Sequence, residues 1–163
     1  MKILALFLLM LSGCATAGLD ATVGAGIGKD VVGHKPFERY GTLGVRYGDV
    51  WKTQLNGGHW LALADDQKSA TFGSLQGGLE VVGSGGTFAQ FMFGPALISE
   101  SDSKLAGHFQ FHMTGGVGVK SDGKYGLSFL WTHFSNAGIE QPNLGRDLLT
   151  IQVVIPILRG KQQ

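Results

Sequence analysis

The sequence predicts an all-β fold, an eight-stranded antiparallel outer-membrane β-barrel, on three observations. Apolar and polar residues alternate with period two through most of the chain. Long and short connections alternate along it, as they do in outer-membrane barrels. The N-terminus reads as an export signal. Composition agrees: 44% of the 163 residues are hydrophobic, 15% are charged, and 27 are glycine against 4 proline. That disfavours long helices and suits turns and closely packed strands in one domain. A formal net charge of +1 gives no reason to expect a nucleic-acid partner.

The leader comes first. Lys2 precedes an apolar run from Ile3 to Leu11, too short to cross a bilayer as a helix but suited to a signal-peptide core. Two processing signals then compete. Ala15-Thr16-Ala17 is an A-x-A site, which makes 1–17 a signal peptide and 18–163 a transmembrane β-barrel domain. Leu11-Ser12-Gly13-Cys14 matches a lipobox, which makes 1–13 a lipoprotein signal and Cys14 a lipidated first residue. Cys14 is the chain's single cysteine, so no intrachain disulfide is expected.

Eight strand-like stretches follow, at 19–28, 37–47, 51–63, 71–82, 87–98, 106–120, 125–135 and 147–157. Most reach the ~9–11 residues that a tilted strand needs to cross a membrane. In the first, Leu19, Ala21, Val23, Ala25 and Ile27 share a face opposite Asp20, Thr22 and glycines. In the fourth, Leu75, Leu79 and Val81 oppose Ser74, Gln76 and Glu80. In the sixth, Phe109, Phe111, Met113, Val117 and Val119 oppose His108, Gln110, His112 and Thr114. A soluble sandwich also alternates; here the export signal and the mixed Gly, Thr, Gln and charged faces favour a narrow polar lumen with lipid outside. Glu38, Arg46 and Glu80 are expected to pair in that lumen, and His108 and His112 to hydrogen-bond there rather than bind metal. The connections at 29–36, 63–70, 99–105 and 136–146 are the longer ones; those at 48–50, 83–86 and 121–124 are tight. By that pattern the longer loops lie outside the cell and both termini in the periplasm. Lys29, Lys35, Lys68, Lys104 and Arg146 fall at the outer loops, where they could meet phosphates.

The seventh stretch carries the chemistry. Tyr125, Leu127, Phe129, Trp131, His133 and Ser135 fall on one face. An apolar, lipid-facing stripe thus ends in a histidine and a serine about 6–7 Å apart along the strand. A base within reach is what a weak serine nucleophile needs. On the eighth stretch Asp147 stands at the outer end of the face formed by Leu149, Ile151, Val153 and Ile155. The hairpin is expected to bring Ser135 and Asp147 close, with the carboxylate orienting His133 as the acid of a Ser–His–acid triad. Interfacial polar residues are the plainer meaning of such a His and Ser, and no G-x-S-x-G elbow is present.

The local sequence is more specific. From His133 the chain reads HFSNAGIEQPN, followed by Leu144, Gly145, Arg146 and Asp147. This resembles the lipid A 3-O-deacylase (PagL) family, with its H-[YF]-S-N-A-G…Q-P-N pattern, strongly over 111–157 and in strand pattern upstream. The resemblance implies an eight-stranded outer-membrane barrel whose active site faces the outer leaflet. It implies a carboxylic ester hydrolase that removes the 3-O-linked acyl chain of lipid A from lipopolysaccharide, with no cofactor and no metal. By position, His133 corresponds to the family's catalytic histidine and Ser135 to its nucleophile. Asn136 and Asn143 correspond to asparagines expected to serve the oxyanion or order the site. Gly138 could offer a backbone donor. Phe111 corresponds to an aromatic beside the catalytic residues and, with Trp131, is expected to face substrate. Asp147 departs from the family's usual Glu. Two other readings stand beside this one: a non-enzymatic small barrel, and another lipid-modifying barrel, an acyltransferase or a phospholipase.

Overall fold

The computed structural model describes residues 18–28, 38–63, 68–102, 105–121 and 125–159. The leader with Cys14, and Lys29, Lys35 and Lys104, lie outside the described residues. Eight strands follow in chain order: β1 Gly18–Gly28, β2 Glu38–Gly48, β3 Trp51–Leu61, β4 Ala70–Val82, β5 Thr87–Ile98, β6 Phe109–Lys120, β7 Gly126–Ser135 and β8 Arg146–Leu158. Each pairs antiparallel with its neighbour, and β1 pairs with β8 to close the barrel. Closure leaves no free sheet edge, which is what lets strands cross a bilayer.

The strands depart from the sequence expectation mainly at β6. It begins at Phe109 rather than 106, because Gly107 takes φ +74° and Leu105 instead bridges to Asn143. The turn at 48–50 needs Gly48, at φ +125°, where a Cβ would overlap the Trp51 carbonyl.

Burial alternates with the sequence pattern, inverted relative to a soluble protein. Leu43, Val81, Val117, Phe129 and Ile151 are exposed on the outside. Gln54, Asn56, Gln76, Thr132 and Gln152 are buried inside. The lumen is filled in two zones. Near the turn end, Arg46 meets Glu80 at 2.7 Å and Asp20 at 3.0 Å, and Lys120 also bonds Glu80. Near the long-loop end, Tyr40, Trp60, Phe72 and Phe134 pack together with His112. His112 is lumenal and bonds Ser74 Oγ at 2.8 Å. His108, by contrast, is exposed at the rim and bonds the Ile98 carbonyl. Glu38 pairs not with Arg46 but with Arg146 at 2.8 Å. Such a packed interior is a plug rather than a pore.

Candidate active site

The site is built by inward anchors that hold outward groups in place. On β7, Thr132 and Phe134 point into the lumen and are 1% and 0% exposed. Thr132 Oγ1 meets Thr150 Oγ1 of β8 at 3.2 Å. The Phe134 ring lies edge-on to Trp60 and Phe72 and stacks on His112. The residues between and after them, His133 and Ser135, must therefore face out. On β8, Arg146 and Leu148 do the same for Asp147. Arg146 is buried, lies 4.7 Å over the Trp60 ring and bonds Glu38 and Asp102. It is thus a lumenal anchor, not the phosphate-facing rim cation its position in the sequence suggested.

Register then selects the partners. His133 stands directly opposite Asp147. Its Nδ1 lies 2.9 Å from Asp147 Oδ1. A carboxylate can only accept, so Nδ1 carries a proton in this contact, which leaves Nε2 as the ring nitrogen facing away from Asp147. Trp131 stacks on His133, and its Nε1–H donates to the same Asp147 oxygen at 2.8 Å.

Ser135 is not opposite Asp147, contrary to the sequence expectation. The last β7–β8 pair is Phe134 with Arg146, so Ser135 lies beyond the ladder and faces Phe111 of β6 instead. No hydrogen bond joins Ser135 and His133 among the described residues; they share a face two residues apart, about 6–7 Å along the strand. In enzymes generally, contacts between a nucleophile and its base are commonly long without substrate and tighten in its complex. Phe111 stacks on Phe93 and meets Phe109 edge-on, so Ser135 borders an aromatic surface.

The loop at 136–145 is held from below by Asn136, which is 1% exposed. Its Nδ2 donates to the carbonyls of Ala106 and Glu140, both at 2.9 Å. Its Oδ1 accepts the Gly138 amide at 2.9 Å. All of its side-chain hydrogens are committed, so Asn136 orders the loop rather than facing an oxyanion. For the same reason Gly138 N–H is not a free donor. Asn143 Oδ1 accepts the Asn136 amide at 3.1 Å, while its Nδ2 has no partner among the described residues. The loop is also clasped to its neighbour: Ala106 N donates to Pro142 O at 3.0 Å.

Two contributors escaped sequence reasoning. Gly145, at φ +72°, packs on the imidazole: a Cβ there would sit 2.7 Å from His133 Cε1. Its place just before a strand carrying an acid was the available signal. Ala106 matters through its carbonyl, which no side-chain pattern reveals. Among the described residues no cluster of His, Cys, Asp and Glu is arranged to hold a metal. The arrangement offers a hydroxyl and an imidazole oriented by a carboxylate at the top of a lipid-facing wall, with the Asn143 amide, unpartnered at Nδ2 among the described residues, in the loop that follows Ser135.

A family model described as lipid A 3-O-deacylase (PagL) matches residues 21–156. No curated protein matches the chain. Among solved structures, the crystal structure of the outer membrane enzyme PagL is 19% identical, with a TM-score of 0.64 over 85% of this chain and 99% of that one. A de novo designed transmembrane β-barrel is 12% identical, with a TM-score of 0.61 over 86% and 95% of the two chains. The Neisserial surface protein A (NspA) is 10% identical, with a TM-score of 0.53 over 86% and 96%. At these identities the structures share the fold.

Proposed function

The chain belongs to the lipid A 3-O-deacylase (PagL) family, an outer-membrane β-barrel acting on lipid A of lipopolysaccharide, and from that premise we propose that Ser135, His133 and Asp147 form its catalytic triad. One observation carries the assignment: the His133–Asp147 hydrogen bond of 2.9 Å, at the end of the lipid-facing stripe that also bears Ser135. It is the arrangement that holds an imidazole in the tautomer able to accept a serine proton.

The reaction is ester hydrolysis through an acyl-serine. His133 Nε2 takes the Ser135 hydroxyl proton as Oγ bonds to the acyl carbonyl carbon. Asn143 Nδ2, a donor without a partner among the described residues, stabilises the oxyanion. The tetrahedral adduct collapses, and the sugar oxygen leaves with the proton held by His133. Water, deprotonated by His133, then attacks the acyl-serine carbonyl; this second adduct collapses as His133 returns the proton to Ser135 Oγ, releasing the fatty acid and restoring the serine hydroxyl. Asp147 accepts from Nδ1–H throughout and stabilises the imidazolium.

The long-loop end is assigned to the outer leaflet, where lipopolysaccharide resides. Export is assigned to the leader, either 1–17 or 1–13 with Cys14 lipidated, ahead of the barrel domain at 18–163. The test is the mass of lipid A from cells with and without the protein. Loss of one 3-linked hydroxyacyl chain is expected with wild type and not with Ser135→Ala. A gain in mass would indicate acyl transfer, and an unchanged mass with folded wild-type protein would leave a non-enzymatic barrel.

A further inference from the structure

The His133–Asp147 pair sits at a strand end. Only one pair follows it in the β7–β8 ladder, Phe134 with Arg146. Strand ends open readily unless side chains tie them down. Arg146 supplies the tie. Its Nη1 donates to Glu38 Oε2 at 2.8 Å and its Nη2 to Asp102 Oδ2 at 2.5 Å. Asp102 lies in the β5–β6 connection, far in sequence from the run His133 to Asn143, and its side chain is 4% exposed. Its other oxygen faces a different segment. Oδ1 accepts the Leu105 amide at 3.1 Å, and the Asp102 amide donates to the Leu105 carbonyl at 3.1 Å. Leu105 in turn bridges to Asn143, while Ala106 holds Pro142 and Asn136. The β3–β4 connection joins the same carboxylate, with Lys68 N reaching Oδ2 at 3.3 Å.

We propose that Asp102 is a positioning residue for the reaction, holding the acid and the oxyanion donor in place with its two oxygens. Oδ2 fixes Arg146 and, through the peptide bond that joins them, the backbone of Asp147. Oδ1 fixes Leu105 and with it the loop at 136–145 that carries Asn143. The proposal rests on Ser135, His133 and Asp147 being the triad and on Asn143 serving the oxyanion. Asp102 acts through these residues from behind the wall: Arg146 points into the lumen, and the groups it steadies face out.

A carboxylate suits this place because one group must accept from two directions. Toward Arg146, which is 1% exposed, its charge makes the bond about twice as strong as a neutral one. Toward Leu105 it needs only a lone pair. Precision is what the arrangement supplies. Catalytic geometry tolerates displacements of about 0.5 Å, and the His133–Asp147 contact of 2.9 Å leaves little slack.

The experiment measures kcat and KM for deacylation of lipid A by the full-length protein in detergent micelles, with folding followed by heat-modifiable gel mobility. Asp102→Asn keeps an acceptor for the Leu105 amide and sets an amide against Arg146, so it breaks the Arg146 connection alone. kcat should fall about tenfold with KM within about twofold. In an Asp147→Asn background the same change should cost about twofold or less, because the orientation it disturbs is already lost. In an Asn143→Asp background the full tenfold should remain. Asp102→Ala breaks both connections and should fall further, with the added loss shrinking in the Asn143→Asp background. Arg146→Lys tests the first connection independently of any folding defect at 102: an ammonium cannot span both Glu38 and Asp102, so kcat should fall about threefold or more. Wild-type kcat in folded Asp102→Asn or Arg146→Lys, a change confined to KM, or equal losses in every background would overturn the positioning role. Full activity of Ser135→Ala would instead overturn the triad on which the proposal rests, whatever the Asp102 variants do.

Discussion

Trp131 and His133 hydrogen-bond the same oxygen of Asp147, the indole Nε1–H at 2.8 Å and the imidazole Nδ1 at 2.9 Å. The two rings also stack, with centroids 5.4 Å apart. The carboxylate is thus pinned from the membrane side by a donor that cannot exchange roles with the base. Trp131→Phe keeps an aromatic ring and removes the donor. The expected result is a fall in kcat of about three- to tenfold, the scale of one hydrogen bond at a partly exposed group. Trp131→Ala, which also removes the stacked ring, should fall further. Turnover at saturating lipid A measures both, and unchanged kcat in Trp131→Phe would show that the shared oxygen is incidental.

Asp147→Asn places an amide opposite Nδ1, able to donate where the carboxylate could only accept. It favours the wrong imidazole tautomer, so kcat should drop by about 10²–10⁴-fold while staying above that of Ser135→Ala. Asp147→Glu tests the family's more usual residue. Asp147 already reaches Nδ1 at 2.9 Å, so an added methylene has to fold aside. The variant should retain activity without exceeding wild type, and a clear gain would mean that the aspartate geometry is suboptimal.

Gly145→Ala acts on the base without touching substrate. The new Cβ would lie 2.7 Å from His133 Cε1, at a φ of +72° that alanine resists by about 1–2 kcal/mol. The imidazole or the loop must move. Deacylation should fall markedly while heat-modifiable mobility stays that of a folded barrel. Wild-type activity would show that the ring has room to shift.

Asn136→Ala separates loop ordering from oxyanion binding. The side chain ties Ala106, Gly138 and Glu140 together. Its loss should expose the segment at 136–145 to limited proteolysis as well as reduce activity. Loss of activity with unaltered protease resistance would instead favour direct contact with the reacting ester. Asn143→Asp keeps the Oδ1 acceptor for the Asn136 amide and removes the Nδ2 donor, so it should give that second pattern, because that Nδ2 has no partner among the described residues.

Phe134 and Phe129 lie on one strand and face opposite ways. Phe134 is 0% exposed inside the aromatic cluster, and Phe129 is 54% exposed to the lipid side. Phe134→Ala should lower unfolding free energy by about 3–5 kcal/mol and loosen the strand that carries the site. Phe129→Ala should cost less, because lipid can fill the space. Urea titrations in matched micelles compare the two, and equal losses would contradict the division into lumen and membrane faces.

Alternation along each strand determined most of what points where, with His108, which lies ahead of β6 and is exposed at the rim, as an exception. A period of two sent His133, Ser135 and Asp147 outward, Glu80 and Arg46 inward, and marked eight crossings with long and short connections. The run from His133 to Asn143 pointed to the family whose model matches residues 21–156. Partners were a different matter. Sliding β8 along β7 by two residues leaves every side chain on its original face, so alternation cannot choose between such registers. The packed barrel chose: it set His133 opposite Asp147 and left Ser135 beside Phe111. It also turned Arg146 inward to Glu38, a residue 108 positions away, and clasped the loop at 136–145 through the Ala106 carbonyl. Those contacts depend on closing the sheet and fitting one loop against another. Backbone carbonyls and distant charges satisfy each other only once the strands have been brought together, and no local pattern in the chain encodes which ones will meet.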